Sequence, residues 1–126
     1  TTPAQPLETL KENFRNPHFT RIALPVTEGM LFIETEEIMY MEADGAYTNV
    51  TLLNGERIVV SKHLKQLEEL LSSPLFFRPH RSWLINVNRV RRFFRQDGGY
   101  IEMDDNAVIP LSRTRREAFL HAFNRF

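Results

Sequence analysis

The stretch FFRPHRSWLINVNRVRRFFR, residues 76–95, carries six arginines, one histidine and no acidic residue, inside a chain of 126 residues whose formal net charge is zero. If it formed one continuous strand, Phe77, Pro79, Arg81, Trp83 and Ile85 would share one face, and Arg78, His80, Ser82, Leu84 and Asn86 the other. Neither face is cleanly apolar or polar. The alternation breaks around His80 to Ser82, so the chain is expected to bend there, with Pro79 supporting the bend and His80 and Arg81 lifted out of the sheet. Two short buried strands flanking an exposed, basic, hydrogen-bonding turn have the make-up of a surface recognition loop.

The charge is segregated on either side of this stretch. Residues 28–44 hold six acidic side chains (Glu28, Glu34, Glu36, Glu37, Glu42, Asp44) and no basic one, and the arginine block is followed by a second set, Arg113, Arg115 and Arg116. Zero net charge is therefore an average over two poles. A single charge run is commonly a solvated face, and Arg89, Arg91, Arg92 and Arg95, which alternate imperfectly, fit that reading as well as a functional one.

The length fits one domain, and 42% hydrophobic with 25% charged residues is the composition of an ordinary folded protein. Without cysteine, disulfide frameworks, thiolate zinc sites and cysteine nucleophiles are excluded. No apolar run approaches the ~20 residues of a membrane-spanning helix, and the opening TTPAQPLETLKENFRNPHFTR is polar, without a signal-peptide core, so a cytoplasmic protein is expected. The chain begins on Thr1 rather than methionine. Residues 1–20 are expected to be a linker from an upstream domain, and residues 21–126 the folded unit.

Short strands dominate. RIALPV (21–26), MLFIE (30–34), IMYMEA (38–43) and YTNVTLL (47–53) are rich in β-branched and aromatic residues and bounded by turn signals. Asn54-Gly55 between YTNVTLL and RIVVS predicts a two-residue type I′ hairpin turn. Asp97-Gly98-Gly99 predicts a second hairpin between VRRFFRQ and YIEM, and AVIPL (107–111) a further strand that Pro110 confines to an edge or a strand end. Ser61 is placed to cap a helix with Leu64, Leu67, Leu70 and Leu71 on its core face. Near the C-terminus, Thr114 and Glu117 form a capping-box pattern ahead of Phe119, Ala122, Phe123 and Phe126. That helix start, with its unpaired N–H groups, also carries Arg113, Arg115 and Arg116. Leu7, Leu10 and Phe14 outline a marginal N-terminal helix ended by Pro17.

Catalysis would pair His80 or His63 with a carboxylate such as Asp104 or Asp105, yet there is no nucleophile elbow, no Gly-rich phosphate loop and no histidine pair at metal-ligand spacing. No enzyme, cofactor or metal is expected. Nucleic acid suits the residues better: arginine's planar fork pairs with guanine O6 and N7 or with phosphate, and Asn, Ser, Thr and His add hydrogen bonds. Trp83, Phe93 and Phe94 fall within strand patterns and read as core, which argues against single-stranded RNA stacked on aromatics. A protein-interaction module docking an acidic partner through the basic block is the alternative, and a small phosphoester-cleaving enzyme a third reading.

FFRPHRSWLINVNRV resembles the signature segment of the LytTR family, the DNA-binding output domain of LytR/AlgR-type bacterial response regulators. IMYMEADGAYTNVTLLNGERIVVSKHLKQLEELL is similar to the family's first half, and VIPLSRTRREAF to its closing element; the likeness spans residues 22–123. It implies a mainly β fold, an elongated stack of small antiparallel sheets with short helices, in which loops rather than a recognition helix read DNA. It carries DNA contacts onto His80, Arg81 and Ser82, onto Ser112 and Arg113 with Arg115 and Arg116 as phosphate contacts, and onto the loop at residues 44–49, where Tyr47, Thr48 and Asn49 are candidates. Lys62, at a helix start, is a further candidate, and Asn86 is expected to be structural. Pro79 departs from the family, which usually has an apolar or small residue there. The implied partner is double-stranded DNA at promoter repeats, bound as a dimer assembled through the missing upstream domain, with no membrane involvement.

Overall fold

Strands follow the β-branched and aromatic runs closely. In the computed structural model, which describes residues 21–123, Arg21–Val26 (β1) pairs antiparallel with Gly29–Glu34 (β2) as a separate hairpin, Arg21 opposite Glu34 and Val26 opposite Gly29. Ile38–Asp44 (β3), Tyr47–Leu52 (β4) and Arg57–Val60 (β5) form a meander. After the helix Leu64–Leu70 (α1), the hairpin Phe76–His80 (β6) and Trp83–Asn86 (β7) joins this meander through β7 beside β3, so the central sheet has the order β5-β4-β3-β7-β6. Val90–Phe94 (β8), Tyr100–Met103 (β9) and Val108–Pro110 (β10) make a third sheet, and the short helix Arg116–His121 (α2) closes the described chain.

The pleat of the central sheet sends alternate residues into two separate cores. Met41, Val50, Leu52, Val60 and Leu84 pack with Ile22, Leu24 and Ile33 of the first hairpin and with Leu64, Leu67 and Leu71. On the opposite face, Tyr40 and Ile85 meet Ile101, Met103, Ile109, Leu111 and Phe119. Phe119 lies against Phe77, Phe93 and Phe123 at ring-centroid distances of 5.7, 5.8 and 5.1 Å. With each buried Leu, Ile or Phe contributing about 1.5–3 kcal/mol, the two cores hold three small sheets in a stack, the mainly β architecture expected from the sequence.

Local departures have physical causes. Leu52 N–H donates to the Glu56 carbonyl at 2.8 Å and Gly55 N–H to the Leu52 carbonyl at 2.9 Å, so the β4–β5 loop has three residues with Gly55 at φ 91°, in place of the two-residue type I′ turn. Ser61 does not cap α1: the helix starts after His63, two residues further on, whose N–H donates to Gln66 Oε1 at 2.9 Å, while the Ser61 N–H is bonded to the Pro25 carbonyl at 2.9 Å. Leu64, Leu67 and Leu71 are buried, whereas Leu70 is exposed, so the apolar stripe is narrower than its spacing implied. The C-terminal helix has no side-chain cap from Thr114: a 3₁₀ turn at Arg113–Arg115 precedes α2, and Ala122 faces solvent. Asp97, Gly98 and Gly99 do form the β8–β9 connection, all with positive φ, and Pro110 lies on the edge strand β10. Asn86 is structural as expected, its Nδ2 donating to the Ile38 carbonyl at 2.9 Å while its Oδ1 accepts from Asn88 N–H. The expected N-terminal helix with Leu7, Leu10 and Phe14, and Phe126, lie outside the described residues.

Candidate nucleic-acid interface

Register alone brings three connections to one end of the central sheet. Asp44 opposite Tyr47 closes the β3–β4 turn, Glu42 opposite Trp83 sets the β6–β7 turn beside it, and Thr48 opposite Val60 places the exit from β5, Ser61 to His63, against Tyr47. The Ala43 N–H donates to the Ser82 carbonyl at 2.8 Å and pins two of these turns together. A fourth segment arrives from the other core. Ser112 N–H donates to the Pro79 carbonyl at 2.8 Å, Arg115 Nε donates to the Arg78 carbonyl at 3.0 Å, and the Arg115 guanidinium lies 4.7 Å from the centre of the Phe77 ring.

The broken alternation of residues 76–95 is a β-bulge. Phe77 pairs with Ile85 and His80 with Trp83, so Arg78 and Pro79 together stand opposite Leu84. Pro79 has no N–H to contribute to a ladder and is accommodated because β6 is the sheet edge. The bulge leaves Arg81 and Ser82 as a two-residue turn, with Arg81 exposed at its tip. The backbone of the turn is bonded from several sides: Ser82 N–H donates to His80 Nδ1 at 3.1 Å, Arg78 Nε to the His80 carbonyl at 3.2 Å, and an Arg78 Nη to the Arg81 carbonyl at 2.5 Å. Because Nδ1 accepts, a neutral His80 carries its proton on Nε2 and has a donor left for a ligand.

The site residues expected from the sequence divide by what they already touch. Arg81 and Arg113 are exposed, and neither guanidinium has an ion pair or hydrogen bond among the described residues. Tyr47 is half exposed and Lys62 exposed, both flanking the turn; Asn49 is half-buried and donates to Asp44 Oδ2 at 3.3 Å. Thr48 is engaged inside the fold. It is fully buried, and its hydroxyl donates to the Lys62 carbonyl at 2.7 Å, which fixes the neighbouring segment and leaves the group nothing to offer a ligand. Arg116 is likewise committed within the fold, half-buried with its guanidinium donating to the Gly98 carbonyl.

Arg89, Arg91 and Arg92 belong to ion pairs with the β9 end of the third sheet. Arg89 pairs with Asp104 at 3.8 Å, and Arg91 and Arg92 share Glu102 at 3.3 and 3.5 Å. The carboxylates that catalysis would have paired with histidine are engaged elsewhere: Asp105 accepts from Tyr40 at 2.9 Å and Asp104 faces Arg89. Burial, then the Asp105 hydrogen bond and charge, raise the Tyr40 phenol above its ordinary pKa. Among the described residues, no cluster of three or more His, Cys, Asp or Glu could hold a metal ion, and no helix is long and apolar enough to cross a membrane. Sequence reasoning missed Arg78 as part of the turn. Its ion-pair partner Glu68 lies ten residues back on α1, at 2.5 Å, and nothing in the arginine block distinguishes Arg78 from its neighbours.

Three small antiparallel sheets, with the Arg81-Ser82 turn and the segment Ser112 to Arg115 meeting at one end of the central sheet, make a mainly β domain. The chain belongs to the LytTR family, the LytTr DNA-binding domain, whose model matches residues 28–124. It is 30% identical over 112 residues to the sensory transduction protein LytT of Oceanobacillus iheyensis, covering 86% of this chain and 46% of that protein. It is 32% identical over 101 residues to the CO-responsive transcriptional regulator RcoM of Rhodospirillum rubrum, covering 78% of this chain and 42% of that one. The chain thus spans less than half the length of these relatives. A solved LytTr DNA-binding domain from Bacillus cereus superposes with a TM-score of 0.70 at 25% identity, over 82% of this chain and 95% of that one.

Proposed function

We propose that this chain is a sequence-specific reader of double-stranded DNA, serving as the output domain of a bacterial response regulator that controls transcription. The observation that carries the reading is the bond between Ser112 N–H and the Pro79 carbonyl, which brings together two exposed arginines, Arg81 and Arg113, that are unpaired among the described residues. Arg81 reads a base edge in the major groove, where its fork matches guanine O6 and N7. His80 through Nε2, Ser82, Ser112, Arg113 and Arg115 bind phosphate and set the register, and Tyr47, Asn49 and Lys62 flank the duplex. The acidic residues at 28–44 turn the rest of the surface away from DNA, so a neutral chain binds in one orientation.

The relatives are sensory and signal-responsive regulators more than twice the length matched here, which supports an upstream domain that brings two copies onto promoter half-sites. A cytoplasmic, non-catalytic role follows from that reading. The test is selection of bound duplexes from a random pool at about 0.15 M salt, where non-specific phosphate binding is weak. Convergence on one motif supports the reading. Retention of an acidic protein partner in place of any preferred duplex overturns it in favour of a protein-docking module.

A further inference from the structure

Arg78 holds the turn from within. Its side chain is only 20% exposed, and its guanidinium makes three bonds: Nε to the His80 carbonyl at 3.2 Å, one Nη to the Arg81 carbonyl at 2.5 Å, and the other Nη to Glu68 Oε1 at 2.5 Å. We infer that Arg78, oriented by Glu68 on α1, is a positioning residue that sets the geometry of the His80-Arg81-Ser82 turn and thereby the sharpness with which Arg81 discriminates between bases. The inference rests on the DNA reading proposed above.

The turn needs such support. Two-residue hairpin turns that match the right-handed strand twist, types I′ and II′, require positive φ, and the non-glycine residues with positive φ among those described are Asp97 and Asn106 alone. Arg81 and Ser82 thus form a connection that would splay β6 and β7 unless side-chain bonds to its backbone close it. Arg78 provides two of those bonds to consecutive carbonyls, a geometry that the planar guanidinium fork reaches and a lysine ammonium does not. The Glu68 carboxylate neutralises the charge, so the guanidinium is held on the turn and away from phosphate. The same bulge also seats the second basic segment, since the Arg78 carbonyl accepts from Arg115 and the Pro79 carbonyl from Ser112.

The test compares Arg78→Lys and Arg78→Ala with the unaltered chain by amide hydrogen exchange without DNA, and by affinity for a selected duplex against a random one. In both variants the Ser82 and Ala43 amides are expected to exchange about tenfold faster while core amides of β9 keep their protection. The ratio of specific to non-specific affinity is expected to fall about tenfold with the salt slope unchanged, and Arg78→Lys should have no further effect on that ratio in an Arg81→Ala background. Unchanged exchange at Ser82 overturns the positioning role, as does faster exchange with an intact affinity ratio. A reduced salt slope makes Arg78 a phosphate contact instead. An unaltered chain that prefers no duplex overturns the DNA reading and the specificity half of this inference, while the exchange rates still decide whether Arg78 holds the turn.

Discussion

The Ser112 N–H points at the Pro79 carbonyl across 2.8 Å, joining the edge strand of the central sheet to the segment that follows β10. Pro79 sits in the bulge next to the His80-Arg81-Ser82 turn, and Ser112 opens the 3₁₀ turn that carries Arg113 and Arg115. On the proposed DNA reading this bond fixes the separation of the two arginine segments, and a groove is read by groups at fixed separation.

Ser112 has φ −61°, a value that proline adopts, so Ser112→Pro deletes the N–H with little change of backbone. Ser112→Ala deletes only the hydroxyl. The proline variant is expected to lose more specificity than the alanine variant, by about 1 kcal/mol, the net worth of one hydrogen bond. Equal duplex titrations for the two would show that the hydroxyl alone matters and that the link to Pro79 does not.

Arg81→Ala is expected to cost about 1–3 kcal/mol on the selected duplex and to relax preference at one base position. Arg92→Ala serves as the control, since that guanidinium shares Glu102 with Arg91 and should leave both affinity and preference nearly unchanged. Binding to a panel of single-position duplex variants distinguishes the two. Uniform weakening by Arg81→Ala across the panel would reduce Arg81 to a phosphate contact.

Arg116 and Arg113, three residues apart, should behave oppositely. Arg116→Ala removes a half-buried donor from the Gly98 carbonyl and is expected to destabilise the fold by roughly 1–3 kcal/mol without altering the salt dependence of DNA binding. Arg113→Ala should leave stability unchanged and reduce the slope of log affinity against log salt by about 0.9. Urea unfolding and salt titrations of both variants check this, and a reduced slope for Arg116→Ala would return it to the phosphate contacts.

Tyr40 is expected to contribute to a fall of stability at alkaline pH. Burial first, then Asp105, raises its pKa above the ordinary value near 10, so the folded state binds the phenol proton more tightly than the unfolded chain does. The stability this contributes is complete below that ordinary value and is lost as pH rises through the raised one. Tyr40→Phe is expected to cost about 1 kcal/mol at neutral pH through loss of the Asp105 bond, and to show a shallower fall of stability above pH ~10. Denaturant midpoints from pH 7 to 11 test it; parallel curves for both proteins would remove Tyr40 as the cause.

Strand positions were legible in the chain because β-branched alternation is a local property, and so was the break at His80 to Ser82, where no phase of the period-two pattern fits. The resemblance carried by residues 76–90 and by the Ser112-Arg113 pair pointed to the basic segments before any contact was known. Caps and turn types were less legible: Ser61 and Thr114 have capping chemistry, but α1 starts only after His63, and a 3₁₀ turn stands where the Thr114 cap would form.

What the sequence determined by itself is the set of strands, the mainly β class and the two basic segments, all readable from residue type and spacing. Only the tertiary structure decided which arginines are available to a ligand. Arg81, Arg89, Arg113 and Arg116 carry the same group, yet Asp104 faces Arg89 and the Gly98 carbonyl holds Arg116, while Arg81 and Arg113 remain unpaired among the described residues. The reason is physical: a charge is neutralised by whatever lies within a few ångströms in space, and those neighbours come from strands and turns that pair only when the two cores close.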